Sequence, residues 1–303
     1  MKNIFYIVMV LLAGTLGASA QQESQYTQYM YNTMTFNPGY TGSREALSAM
    51  GLYRTQWVGL DGAPKTMNFS VQSPIGIHSG LGLNVVSDQI GPTKATGVTA
   101  NYSYTILGST DVKYSFGISA GLDNFTVDYN KINPENPDPY LTGIESKMSP
   151  NVGAGFYVHS YNWYVGLSAP RLLKTTFFDD AKATTYSASS HFYLMGGYVF
   201  DLNPYLKFKP AAMIKAVSGA PLAVDLSANF LINDKFTLGA AYRWDAAVSG
   251  MAGFQITDGL NIGYAYDYDT THIGNYNSGS HEIFLRFELF GNSKSRLVTP
   301  RFF

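Results

Sequence analysis

A chain of 303 residues with 20 Lys and Arg against 21 Asp and Glu has no basic excess to offer a nucleic acid. Charged residues are only 14 % of it, below the roughly 25 % of ordinary soluble domains, while 23 Tyr, 19 Phe and 30 Gly suit strands, tight turns and a membrane-interface belt better than helices. The absence of Cys excludes a disulfide scaffold, a thiolate zinc site, a Cys nucleophile and N-terminal lipidation.

Residues 1–20 read as an export signal. Lys2 supplies the positive region, Ile4 to Leu16 the apolar stretch, and Ala18-Ser19-Ala20 the small-residue cleavage site, so that Gln21 would begin the mature chain. The apolar stretch falls short of the roughly 20 residues that a membrane helix needs. No later run reaches about 18 apolar residues, which sets aside a helical membrane protein. A secreted soluble β-protein and a β-barrel membrane protein remain.

Residues 21–43 are not strand-like. Gln25 to Met34 has helix-compatible spacing, and Asn37-Pro38-Gly39 breaks it. Two readings stand for this stretch: a short helix that plugs a barrel lumen from the periplasm, or an ordered periplasmic arm.

Period-2 alternation then dominates residues 44–290. In Leu222 to Phe230, one face carries Leu222, Val224, Leu226, Ala228 and Phe230, and the other Ala223, Asp225, Ser227 and Asn229. Phe236 to Trp244, Leu260 to Asp269 and Val112 to Asp123 repeat the pattern. These segments run about 9–11 residues, the length a tilted strand needs to cross a bilayer. Soluble sandwiches favour strands of about 5–6 residues. Fourteen strands are expected, near 44–58, 65–73, 77–87, 94–107, 111–128, 149–160, 162–169, 190–201, 205–217, 221–232, 235–245, 247–257, 259–269 and 280–290. An even count puts both termini on one side, as in single-chain bacterial barrels. Connections then alternate: short turns such as Ser160 to Asn162 and Asn233 to Lys235 on one side, and longer loops near 129–148, 170–189 and 270–279 on the other. That asymmetry is the outer-membrane one, with the short turns periplasmic. Pro210 falls inside an expected strand, so a bulge or an early strand end is expected there. The basic tail 291–303, with Lys294, Arg296 and Arg301, is assigned to the periplasm.

Several stretches together carry a family resemblance: Gln28 to Met34, Asn37 to Ser43, Tyr53 to Gly59, Asp61 to Thr66, Asp88 to Thr93, Lys215 to Pro221, Asp225 to Phe230, Tyr266 to Tyr268, Asn275 to Glu282, and the ending Arg296 to Phe303. In this order they resemble the PorP/SprF family of Bacteroidetes outer-membrane proteins, over essentially the whole chain after the signal. The resemblance implies a role in type IX secretion and gliding motility. Its implied partners are a secreted surface protein and periplasmic or outer-membrane secretion-machine components. From the residues themselves, a non-enzymatic protein with no cofactor is expected. Candidate partner-binding residues within or beside these stretches are Tyr29, Asn37, Tyr40, Arg54, Trp57, Asp61, Pro64, Lys65, Asp267, Asp269, His281 and Glu282. Loops 129–148 and 170–189 are further candidates, because loops carry binding more often than scaffolds do.

Catalytic chemistry finds little support. Ser280 and His281 are neighbours on a strand and point to opposite faces, as do His281 and Glu282. No G-x-S-x-G or HExxH motif is present. Asp267 and Asp269 share a face and could hold a calcium ion, although rim or lumen lining is the plainer reading. Arg54, Lys207, Lys209, Lys215, Arg243 and Arg286 are expected to point inward, opposed by Asp225, Asp267, Glu282 and Glu288, since lipid exposure would cost about 2–4 kcal/mol for each basic side chain near the bilayer midplane. The expected fold is therefore an all-β, antiparallel up-and-down transmembrane barrel of about 14 strands in the outer membrane. The competing function is a transport channel of the 14-stranded fatty-acid-transporter type, and a soluble sandwich adhesin is the third reading.

Overall fold

The computed structural model describes residues 26–108, 111–131, 143–173, 175–179, 184–188, 190–218 and 220–289. The expected export signal, the tail 291–303, and parts of loops 129–148 and 170–189 lie outside the described residues.

The strands are β1 (Leu47–Thr55), β2 (Lys65–Pro74), β3 (Ser79–Ile90), β4 (Thr93–Leu107), β5 (Lys113–Asp128), β6 (Ile144–His159), β7 (Trp163–Arg171), β8 (Thr175–Asp179), β9 (Thr184–Ala188), β10 (His191–Tyr198), β11 (Phe200–Asn203), β12 (Leu206–Val217), β13 (Ala223–Ile232), β14 (Phe236–Arg243), β15 (Ala247–Thr257), β16 (Leu260–Asp269) and β17 (Ser280–Leu289). Consecutive barrel strands pair antiparallel, β1 pairs with β17, and β10 pairs with both β7 and β12, so the sheet closes. β8 and β9 form a separate hairpin in the connection between β7 and β10. β10 and β11 keep one register against β12, with His191 opposite Val217 and Asp201 opposite Lys207, and count as one interrupted stave. The result is a closed barrel of 14 staves, in which every backbone ladder is satisfied without an open edge facing lipid.

Alternation positions the side chains as the bilayer requires. Leu226 and Tyr264 are 48 % and 44 % exposed on the outer wall. Their neighbours Asp225, Ser227, Gly263 and Ala265 are buried on the inner one. Short turns join the strands on the side of the chain that precedes β1. Asn233 and Asp234 both adopt positive φ, which lets the three-residue turn from Asn233 to Lys235 reverse the chain tightly. The longer connections, 56–64, 270–279 and those that follow β5 and β7, leave the strands at the other end. Leu285 lies midway along β17 on the lipid face and is half exposed. Replacing it with arginine is expected to destabilise the barrel by about 2–4 kcal/mol. Urea titration in lipid vesicles measures this, and an unchanged midpoint would contradict the assignment of that face to lipid.

Two local expectations need correction. β12 neither bulges nor ends at Pro210, which keeps its place opposite Ala228 of β13. The interruption falls instead on the adjoining stave, at Val199 between β10 and β11, beside the proline that has no N–H to give the ladder. The stretch before β1 is not one helix. It is a 3-10 turn (Tyr29–Tyr31), a single α-turn (Thr33–Phe36) and a second 3-10 turn (Pro38–Tyr40). Asn32, Thr33, Thr35 and Asn37 are weak helix formers, and surrounding strands satisfy the segment's polar groups instead.

Candidate functional site

Residues 26–43 run inside the barrel. Tyr26, Tyr29, Met30, Met34, Phe36 and Tyr40 are buried and join inward side chains of the wall, among them Tyr157, Tyr164, Tyr193, Met213 and Phe284, in one apolar cluster. Phe36 packs edge-on to Tyr26 at 5.6 Å and against Tyr193 at 5.2 Å. Tyr40 meets Tyr157 edge-on at 5.3 Å. Such ring pairs add about 0.5–1.5 kcal/mol each beyond their buried area.

The segment is clamped at the long-loop end by ions. Arg54 on β1 and Glu282 on β17 are direct cross-strand partners, 3.2 Å apart. Arg54 also reaches Asp267 on β16 at 2.6 Å. Into this triad the segment inserts Thr27 and Gln28. Their backbone N–H groups donate to the two oxygens of Glu282 at 2.9 and 2.8 Å. The Thr27 hydroxyl donates to Asp267 at 2.7 Å and accepts from Arg54 at 2.9 Å. A second wall pair, Arg243–Asp225 at 2.7 Å, adds a contact from Arg243 to the Tyr26 carbonyl at 3.4 Å.

Further down the lumen, Lys209 and Arg286 lie 5.5 and 5.7 Å from the centroid of the Tyr31 ring, and neutral polar side chains bond the segment. Asn32 donates to Asn68, which donates to Asn84, at 2.8 and 2.7 Å. Asn37 donates to the Phe156 carbonyl at 3.0 Å, and Ser168 donates to the Phe36 carbonyl at 2.8 Å. Gly42 N–H donates to Gln72 at 2.9 Å. At the short-turn end, where the segment passes into β1, Arg44 pairs with Glu288.

The wall is also cut to the segment's shape. A Cβ at Gly117 would collide with the backbone of Pro38 and Gly39, one at Gly155 with the Asn37 amide, and one at Gly80 with the Thr41 carbonyl. Glycine at these inward positions lets backbone approach backbone. Between Tyr26, Phe36, Tyr193, Met213, Lys215, Asp225 and Arg243 a cavity of about 10 Å³ remains, room for roughly one water.

The expected inward charges Arg54, Lys209, Lys215, Arg243, Arg286, Asp225, Asp267, Glu282 and Glu288 are all buried in the lumen. Lys207 lies at the short-turn end and pairs with Asp234 at 2.9 Å. The twelve candidate residues divide into two groups. Tyr29, Asn37, Tyr40, Arg54, Asp267 and Glu282 are buried in the lumen, so with the segment in place they contact the chain itself rather than an outside surface. The other six lie at the long-loop end: Trp57 and Asp269 half-buried, Asp61 and Lys65 exposed, Pro64 buried, and His281 half-buried on the lipid face. Trp57, at φ 48°, donates through its indole to Asp269 at 3.4 Å, and its N–H donates to Ser280 at 3.2 Å. His281 bonds the Tyr264 hydroxyl at 2.7 Å. Ser280 and Glu282 turn inward from it, so the three are not one site. Asp267 and Asp269 are each engaged by the chain itself. Arg54 and Thr27 take the first and Trp57 the second, and among the described residues no group of three His, Asp or Glu could hold a metal.

Sequence reasoning missed Thr27, Gln28, Arg44 and the wall glycines as parts of this site. It also read the lumen face as polar. The available signal was contiguous apolar runs such as Phe192-Tyr193-Leu194-Met195 and Ile283-Phe284-Leu285, which break alternation and mark strands buried on both faces.

A closed barrel with an apolar outer band, aromatic strand ends and an interior that combines ion pairs with packed side chains is an integral outer-membrane β-barrel. The toluene transporter TbuX of Ralstonia pickettii shares the fold at TM-score 0.52 and 8 % identity, with 84 % of this chain and 92 % of that one covered. The chain belongs to the PorP/SprF family: the family profile described as "Type IX secretion system membrane protein PorP/SprF" matches residues 18–287. Two further solved barrels give lower scores. Omp33 of Acinetobacter baumannii scores 0.48 at 10 % identity, covering 81 % of this chain and 98 % of its own. A FadL homologue of Pseudomonas aeruginosa scores 0.46 at 10 % identity, covering 81 % and 89 %. No curated protein matches the chain in sequence.

Proposed function

We propose that this barrel is a non-enzymatic scaffold of the type IX secretion and gliding machinery, which docks or anchors a secreted surface protein and contacts periplasmic secretion-machine components. The observation that carries the reading is the filled lumen in a barrel of this family. With residues 26–43 packed along the interior, work falls to the two rims rather than to a conduit. Trp57, Asp61, Lys65 and Asp269 sit on the long-loop rim, where a surface protein would arrive. The lumen-buried candidates support that rim from beneath: Arg54 is separated from Trp57 by two residues, and Asp267 from Asp269 by one.

The rival transport channel needs a continuous path or an apolar ligand cavity; among the described residues, the packed segment leaves beside Tyr26 only the space of about one water. Deleting the gene is expected to abolish export or surface retention of a type IX cargo protein, measured by surface labelling and by fractionation of culture medium. Normal cargo on the surface of the deletion strain contradicts the proposal. Complementation by the intact gene separates the effect from polar effects on neighbouring genes.

A further inference from the structure

We infer that the lumen is a peptide-binding site and that residues 26–43 are its resident, exchangeable ligand. The ligand class is a neutral peptide rich in Tyr, Thr, Asn and Met that presents two adjacent free N–H groups near its amino end.

Four observations support this. First, the segment adds no strand to the barrel, and it is covalently joined to the wall only through the short stretch leading into β1. Second, recognition at the clamp is of peptide backbone: both Glu282 oxygens accept consecutive N–H groups, and inward glycines let wall and segment backbones touch. Third, Tyr26 to Ser43 carries no charged residue. The ions that hold its amino end, Arg54 with Asp267 and Glu282, and Arg243 with Asp225, already pair within the wall. Departure of the segment therefore breaks hydrogen bonds without leaving any of these ions unpaired, whereas removing one partner of a buried pair is strongly destabilising. Fourth, the inward wall supplies Met50, Met195, Met213 and Met251 to the cluster around the segment. Flexible thioethers adapt to differing shapes and are favoured on surfaces that accept more than one partner. The clamp stands at the long-loop mouth, so a competing peptide meets Glu282 first when it comes from that side.

Both readings start from the packed lumen, but their tests are separate: peptide exchange is read on the purified barrel and cargo export in the deletion strain, so either can fail without the other.

The test uses the full chain with a protease recognition sequence inserted between Ser43 and Arg44, folded in detergent and then cleaved. A fluorescently labelled synthetic peptide covering residues 26–43 is added, and its co-elution with the barrel on size exclusion is followed with time. The labelled peptide is expected to replace the cleaved segment while the barrel keeps its heat-modifiable folded band. An unlabelled peptide N-methylated at Gln28, which lacks one of the two donors to Glu282, is expected to compete about tenfold less well, the effect of one hydrogen bond to a charged acceptor. The proposal is overturned if the cleaved segment stays and no label enters. It is equally overturned if the segment's departure unfolds the barrel, or if the N-methylated peptide competes as well as the unmodified one. Because the last comparison varies only the peptide, it does not depend on a wall variant folding.

Discussion

Replacing Arg54 with methionine is expected to lower the stability of the barrel by about 3–5 kcal/mol, the cost of breaking a buried ion pair from one side. Asp267 and Glu282 lie 2.6 and 3.2 Å from the guanidinium, and both are about 1 % exposed. Without Arg54 two carboxylates are left facing each other across Thr27, whose hydroxyl can serve only one of them. The triple variant Arg54→Met, Asp267→Asn, Glu282→Gln is expected to recover most of the loss, because neutral amides leave no charge unpaired. Urea midpoints in detergent, read by tryptophan fluorescence and by the heat-modifiable band, compare the variants. If the single and triple variants unfold together, the clamp is not held by charge.

The second large effect concerns the seal. Gly117→Leu is expected to push Pro38 and Gly39 out of place and turn a non-conducting barrel into a conducting one. The wall cannot yield easily. β5 pairs along 15 residues with β4 and along 16 with β6, while the segment is held at this level by side chains and neutral hydrogen bonds. Overpacking of this kind costs about 1–3 kcal/mol, less than dismantling either ladder would. Planar bilayer recordings are expected to show little current for the native protein and stepwise openings for the variant. Gly250→Ala is the control, since a Cβ there meets nothing within 4 Å and should change neither stability nor current. A leucine variant as silent as that control removes the segment from the role of seal.

The wall of this protein was readable in advance, and its contents were not. Alternation depends on each residue's immediate neighbours, because successive side chains of a strand point to opposite sides. That is why Leu226, Tyr264, Asp225 and Ser227 are each on the side their position in the pattern assigns. The clamp depends on residues 228 and 255 positions apart, Arg54 with Glu282 and Thr27 with Glu282. No local pattern reports such a meeting. Glycines 80, 117 and 155 passed for ordinary small residues of a polar lumen, and only the close approach of Pro38 to Thr41 shows why a side chain is excluded there. The same holds for the segment's own conformation. Its spacing suggested a helix, but its backbone carbonyls at Phe36 and Thr41 bond to Ser168 and Ser103 of the wall instead.

The receptor for Thr27 and Gln28 is divided between the first strand of the sheet and the last two. A partly assembled sheet, with its two ends apart, holds Arg54 on one margin and Asp267 and Glu282 on the other, and has no place to receive those residues. The place for the amino-terminal stretch therefore exists only once the two margins are joined in the correct register, since a slip of one residue between β1 and β17 would turn Arg54 or Glu282 toward the lipid.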